Sequence, residues 1–224
     1  MTVAVLFARA DSNYKQLPGV DVWDAERDAR KWPGGCPVVA HPPCRAWGRL
    51  RHFAKPRADE KDLARFAVAQ VRKWGGVLEH PESSQLWQDQ GLPPAGKRDE
   101  FGGWTLPVHQ YWFGHRAQKK TMLYVVGCEP REVPPMPLRL GVSPCVIRLD
   151  KRRADGTHIR KGDPDWREPL GAAEREHTPP ELARWLVELA HRCKGHNAAL
   201  TDAEGVRVEG TVMQQEDEHG KKGV

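Results

Sequence analysis

The sequence predicts an α/β domain of the Rossmann-like kind: an open, mostly parallel sheet with helices on both faces. Three observations carry this reading. Short apolar runs recur at 2–8 (TVAVLFA), 36–44 (CPVVAHPPC) and 77–81 (VLEHP), the form taken by strands buried on both sides. Two stretches, 59–74 and 177–193, place apolar residues at helical spacing. The order strand, helix, strand over 37–80 implies two parallel strands joined by a crossover.

In chain order, 2–8 reads as a first strand and not as a signal peptide, because it lacks a basic leading region and a small-residue cleavage site. PGVDVWD (18–24) is a second short strand ending in Asp24, and the third, within 36–44, is stopped by Pro42-Pro43. From Arg45 to Arg57 come Arg45, Arg49, Arg51, Lys55 and Arg57 with no acid between them, a basic loop. In 59–74, Leu63, Phe66, Ala67, Val71 and Trp74 share a helix face, Asp59 and Glu60 suit its N-terminus, and Gly75-Gly76 ends it. The segment 82–110 reads as loop, with a short helix at 83–88 and a turn at 99–104. A strand follows at 121–127, then a Pro-rich extended stretch at 129–145 and a charged flap at 148–175. HTPPELARWLVELAHRC (177–193) is a helix with Thr178 as N-cap, prolines in its first turn and Leu182, Trp185, Leu186 and Leu189 on one face. Residues 1–194 thus form one α/β domain with 128–176 as an insertion or flap. Residues 195–224 form a polar, partly flexible tail with one small strand near 205–212.

Composition bounds the function. With 39% hydrophobic residues in 224, the chain can bury a core, and no run approaches 18 apolar residues, so no membrane partner is expected. Five cysteines, an odd number without a CxxC pair, point to a reducing, cytoplasmic setting. The net charge of +5 suits a nucleic-acid partner. The chain is taken as a monomer.

Ligands of open parallel sheets bind outside the carboxyl ends of the strands. Cys44 lies just past the third strand and Glu79 at the end of the next, so neighbouring strands bring a thiol and a carboxylate to one mouth. The basic loop rings that mouth with charge suited to a phosphate-bearing substrate. His41, Arg45 and a nearby helix N-terminus are expected to lower the thiol pKa. A semi-buried Glu79 is expected to keep its proton and act as an acid. His41, Cys44 and His80 lack a fourth partner for zinc, and no metal is expected.

Four segments resemble, in order, motifs of the DNA cytosine-C5 methyltransferases, notably small phage and prophage members. HPPC (41–44) resembles the Pro-Cys motif and LEHP (78–81) stands at the Glu-Asn-Val motif. GHRAQKKTMLYVVG (114–127) resembles the Gln-x-Arg-x-Arg segment with its strand, and HTPPELARWL (177–186) resembles the Pro-Pro-x-Leu-Ala motif. The resemblance implies a reduced methyltransferase-like fold in the cytoplasm of a bacterial host. It implies that Cys44 attacks C6 of a flipped cytosine, with Glu79 at N3, His41 beside them, and a methyl group supplied by S-adenosylmethionine. Lys120 stands at the first arginine of Gln-x-Arg-x-Arg and Met122 at the second. Phe7, Asp11, Asp24, Pro42 and Thr178 fall at the donor site, with Asp24 at the ribose. Arg45, Arg49, Arg51, Gln118 and Lys119 fall at DNA. The chain departs from the family in LFARADSNYK, which has no glycine in the donor loop, and in having only 128–176 where a target-recognition domain stands. Two other readings remain: a DNA-binding descendant without catalysis, and an enzyme of pyrimidine nucleotides that does not use S-adenosylmethionine.

Overall fold

The computed structural model describes residues 1–49, 51–147 and 152–195. Six strands form one sheet: β1 (Val3–Leu6), β2 (Val20–Trp23), β3 (Val38–Ala40), β4 (Gly76–Pro81), β5 (Trp104–His109) and β6 (Lys120–Val126), in the order β2-β1-β3-β4-β6-β5. The first four run parallel, and β6 and β5 add antiparallel beyond β4. The sheet is therefore mixed but mostly parallel, as expected of an open α/β fold. The segment 82–110, read as loop, contains β5. Its Pro107 lacks an N–H and marks against a strand in sequence, but β5 lies at the sheet edge, where that donor is not needed.

Two helices cover the two faces. Helix α1 (Glu60–Trp74) crosses from β3 to β4. It buries Ala64, Ala67, Val68 and Val71 with Ala4, Leu6, Val38, Ala40, Leu78 and Tyr124. A short α2 (Leu86–Asp89) follows β4. Helix α4 (Pro180–Arg192) buries Leu182, Leu186 and Leu189 against Val3, Val5, Val39, Val77, Leu123 and Val125 on the opposite face. Burial of each such leucine contributes about 2 kcal/mol. The alternation Val77, Leu78 and Val38, Val39 between faces is the strand period of two. Thr178 does not cap α4, because the helix begins at Pro180 with Pro179 at the capping position.

Within 128–176, β7 (Cys145–Val146) and β8 (Glu168–Pro169) pair in a two-stranded sheet, and a short α3 (Ala172–Glu176) leads back to α4. The strand expected near 205–212 lies outside the described residues. No described helix is long and apolar enough to cross a membrane.

The close approach of β3 and β4 rests on Gly76. Its φ is +121°, and a Cβ there would lie 2.0 Å from the carbonyl oxygen of Val38, its register partner. Gly76→Ala is expected to cost about 3 kcal/mol or more, read as a lowered urea midpoint, since strain and a backbone clash coincide. An unchanged midpoint would show that the strands can separate without penalty.

Candidate active site

A cavity of about 440 Å³ opens at the carboxyl ends of β1, β3 and β4. Sequence places Cys44 there through two prolines. Strand β3 stops at Ala40, Pro42 and Pro43 hold the chain extended, and Cys44 begins a turn whose carbonyl accepts the amides of Trp47 and Gly48, both at 3.0 Å. Trp47 is buried under the turn, and its carbonyl accepts the Gln85 amide at 3.0 Å, tying the loop to the chain after β4. Cys44 is exposed to the cavity. Loss of hydration inside the cavity and the charge of Glu79 push its thiol pKa up, against the pull of Lys119. The expected lowering by His41 and Arg45 does not occur, and the resting group is a thiol.

Glu79 points to the α4 face of the sheet. Its Oε2 lies 3.0 Å from Nδ1 of His41, and its Oε1 accepts Nε2 of Gln110 and Oγ1 of Thr121, both at 3.0 Å. Burial alone would raise its pKa. The His41 hydrogen bond and the charge of Lys119 overcome that and bring it down to about 2. Glu79 is therefore ionised at rest and is not the standing acid the sequence suggested. An ionised carboxylate only accepts, so Nδ1 of His41 carries the proton. In the neutral form of the ring, Nε2 then accepts from the Tyr14 hydroxyl, 2.8 Å away. Burial and the Glu79 charge raise the Tyr14 pKa well above 10, so the hydroxyl keeps its proton.

A second cavity of about 290 Å³ adjoins the first, and both are walled by Phe7, Ala8, Pro43 and Arg45. Asp24 lines it. One carboxylate oxygen accepts the amides of Glu26 and Arg27 at 3.1 and 3.2 Å, and the other accepts Lys15 at 2.7 Å. The Lys15 contact is the main cause of its lowered pKa. Glu60 is fully buried at the start of α1. One of its oxygens takes Arg45, and the other has no hydrogen-bond partner. Phe7, directly after β1, has φ +62°, a conformation that a bulky residue adopts only under constraint.

The sequence-selected residues divide cleanly. Phe7, His41, Pro42, Cys44, Arg45, Glu79, Lys119 and Thr178 meet at the first cavity. Asp24 belongs to the second. Asp11 lies outside both, held by Arg9 and His177. Arg49 and Gln118 are exposed and Arg51 half-buried, and none of the three lines either cavity. Lys120 lies outside as well. Thr121 faces Glu79, so strand alternation turns Lys120 to the opposite face, 4.0 Å from Glu82, and brings Lys119 to the cavity. His80 likewise faces the α1 side, away from His41. Among the described residues, no three His, Cys, Asp or Glu side chains gather as a metal site.

Sequence reasoning did not reach Gln110, Thr121 or Glu60. Strand alternation through 121–127 signals Thr121 once its register is known, whereas Gln110 sits in a segment read as loop. Comparison with protein-family models, with curated proteins and with solved structures finds no match to this chain.

Two outcomes follow from the protonation states. Glu79→Gln removes the charge that helps to raise the Cys44 pKa, so alkylation of Cys44 by iodoacetamide at pH 7.5 is expected to accelerate several-fold, followed by mass spectrometry. A slower or equal rate would show that Glu79 does not act on the thiol. His80 is fully buried with both ring nitrogens unpartnered, and burial lowers its pKa from 6.5 to about 4. The unfolded chain takes up this proton first as pH falls, so the contribution of His80 to stability is complete above pH 6.5. It declines by roughly 3 kcal/mol toward pH 4. His80→Leu is expected to flatten that part of the stability-pH curve, measured by urea unfolding.

Proposed function

We propose that the protein modifies pyrimidines in DNA at C5, in the manner of a cytosine-C5 methyltransferase. The observation that carries this reading is that Cys44 and Glu79, from the ends of adjacent parallel strands, line one cavity. A pure binding module has no use for a thiol beside a buried carboxylate.

The resting pair, a protonated thiol and an ionised carboxylate, suits addition to a pyrimidine ring. Cys44 Sγ forms a bond to C6, and the thiol proton passes to Glu79 and from Glu79 to N3. The ring electrons then rest in a neutral enamine whose C5 is nucleophilic, with no bare carbanion formed. Gln110 and Thr121 keep the Glu79 carboxylate oriented through this exchange. Lys119, beside the same cavity, supplies positive charge for the substrate phosphate, and Arg45 adds to it from the rim.

The second cavity suits S-adenosylmethionine as methyl donor. Asp24, which lines it and is fixed by Lys15 and two amides, retains a lone pair on its Lys15-bound oxygen for a ribose hydroxyl. The left-handed turn at Phe7 gives the chain after β1 the backbone course that a glycine loop would take. Bound there, the donor would supply an electrophilic methyl group for C5. Phe7, Ala8, Pro43 and Arg45 form the shared wall between donor and base.

The test is covalent capture. Duplex DNA containing 5-fluorocytosine, incubated with S-adenosylmethionine, is expected to form a denaturant-stable complex with the protein. Cys44→Ser is expected to abolish that complex, and Asp24→Ala to weaken it. Absence of any complex with the unaltered protein would sink the reading.

A further inference from the structure

The reaction above assigns Glu79 to N3 and leaves open which group handles the proton at C5. We propose that Tyr14, His41 and Glu79 form an acid-base triad in which Tyr14 is the catalytic base that takes the C5 proton. This inference rests on the pyrimidine reading of the same cavity.

The geometry is a directed chain. The Tyr14 hydroxyl donates to Nε2 of His41 at 2.8 Å, Nδ1 of His41 donates to Oε2 of Glu79 at 3.0 Å, and all three residues line the cavity that holds Cys44. The logic is that of a serine-histidine-carboxylate triad with a phenol as the terminal hydroxyl. The remaining Glu79 oxygen is held by Gln110 and Thr121, so the carboxylate cannot turn away from His41. Tyr14 is itself fixed. Ser12 caps the turn that carries it, Asn13 donates to the Thr178 carbonyl at 2.8 Å, and the Tyr14 ring packs at 5.4 Å from the His41 ring. A buried hydroxyl used only for packing would be an expensive place to put a polar group. Here it ends a proton path.

The step balances without any further reactant. In the Cys44 adduct, the C5–H bond breaks and its proton moves to the Tyr14 oxygen while the Tyr14 proton moves to Nε2 of His41. The C–H electron pair forms the C5–C6 double bond, and the Sγ–C6 pair returns to sulfur as thiolate. His41 becomes an imidazolium paired with the Glu79 carboxylate, then returns the proton through Tyr14 to the thiolate. The N3 proton passes back to Glu79 and from there to solvent, the one proton that methyl transfer from a sulfonium to a C–H position releases, and Glu79 is again ionised. A tyrosinate never has to persist, because the hydroxyl gives up its own proton as it gains the new one.

Tyr14→Phe keeps the ring and removes the relay. His41→Asn keeps an N–H toward Glu79 and removes the Nε2 acceptor, so it tests the same path should Tyr14→Phe fold poorly. Both variants are incubated with S-adenosylmethionine and either 5-fluorocytosine DNA or ordinary cytosine DNA, and complexes are resolved under denaturing conditions. Capture on 5-fluorocytosine needs no proton removal, so both variants are expected to form it. On ordinary cytosine the unaltered protein releases its product, whereas each variant is expected to remain covalently attached through Cys44, with release slowed at least about a hundredfold. Variants that capture 5-fluorocytosine yet release ordinary cytosine at the unaltered rate would overturn the triad and leave the pyrimidine reading intact. Failure of the unaltered protein to capture 5-fluorocytosine would overturn both.

Discussion

A carboxylate buried in a protein is tolerable only when its lone pairs are matched, and Glu79 is the point at which this chain meets that condition. Its three donors come from the end of β3, the turn after β5 and the start of β6. A fourth group, Tyr14, is drawn in through His41 from the connection between β1 and β2. Four separate stretches are thus held in mutual register by one charge. The same charge acts on Cys44 across the cavity and adds to the loss of hydration that keeps the thiol protonated.

The sheet separates this polar centre from the rest of the core by simple alternation. Along β4, Val77 and Glu79 face α4 while Leu78 and His80 face α1. Strands β3 and β4 supply apolar side chains to both helical layers and bring His41 and Glu79 to their carboxyl ends, while antiparallel β6 brings Thr121 to the same place from its amino end. The left-handed turn at Phe7 and the tight contact at Gly76 are the local costs of bringing strand ends so close. Phe7 lines the cavity itself, whereas Gly76 opens the central strand β4 at its amino end, and at both places surrounding packing fixes the backbone.

Much of this was readable in the sequence. Unbroken apolar runs gave β1 and β3, helical periodicity gave α1 and α4, and the rule that parallel sheets bind at their carboxyl ends brought Cys44 and Glu79 together. What escaped depends on long-range pairing. Pro107 disguised β5 because only its edge position makes a proline harmless. The choice between Lys119 and Lys120 turned on the register of β6, which no local pattern specifies. The protonation of Glu79 is set against burial by His41, 38 residues away in the chain, and by the charge of Lys119 just before β6, so it could not be judged from the residues flanking it. Asp24 was visible as an acid at a strand end, but not as one already held by Lys15.

The last consequence concerns the order in which the molecule comes into being. Glu176, His177 and Thr178 line the first cavity together with Cys44, and they lead into α4, which covers that face of the sheet and ends at Arg192. These contacts join opposite ends of the chain, the kind of nonlocal closure that slows folding. During synthesis the β1–β4 segment and its α1 crossover emerge first, with one face of the sheet still bare. Cys44 and Glu79 therefore exist as neighbours well before they are enclosed, and the pocket becomes a pocket only when the C-terminal helix docks. Docking of α4 and enclosure of the cavity are the same event.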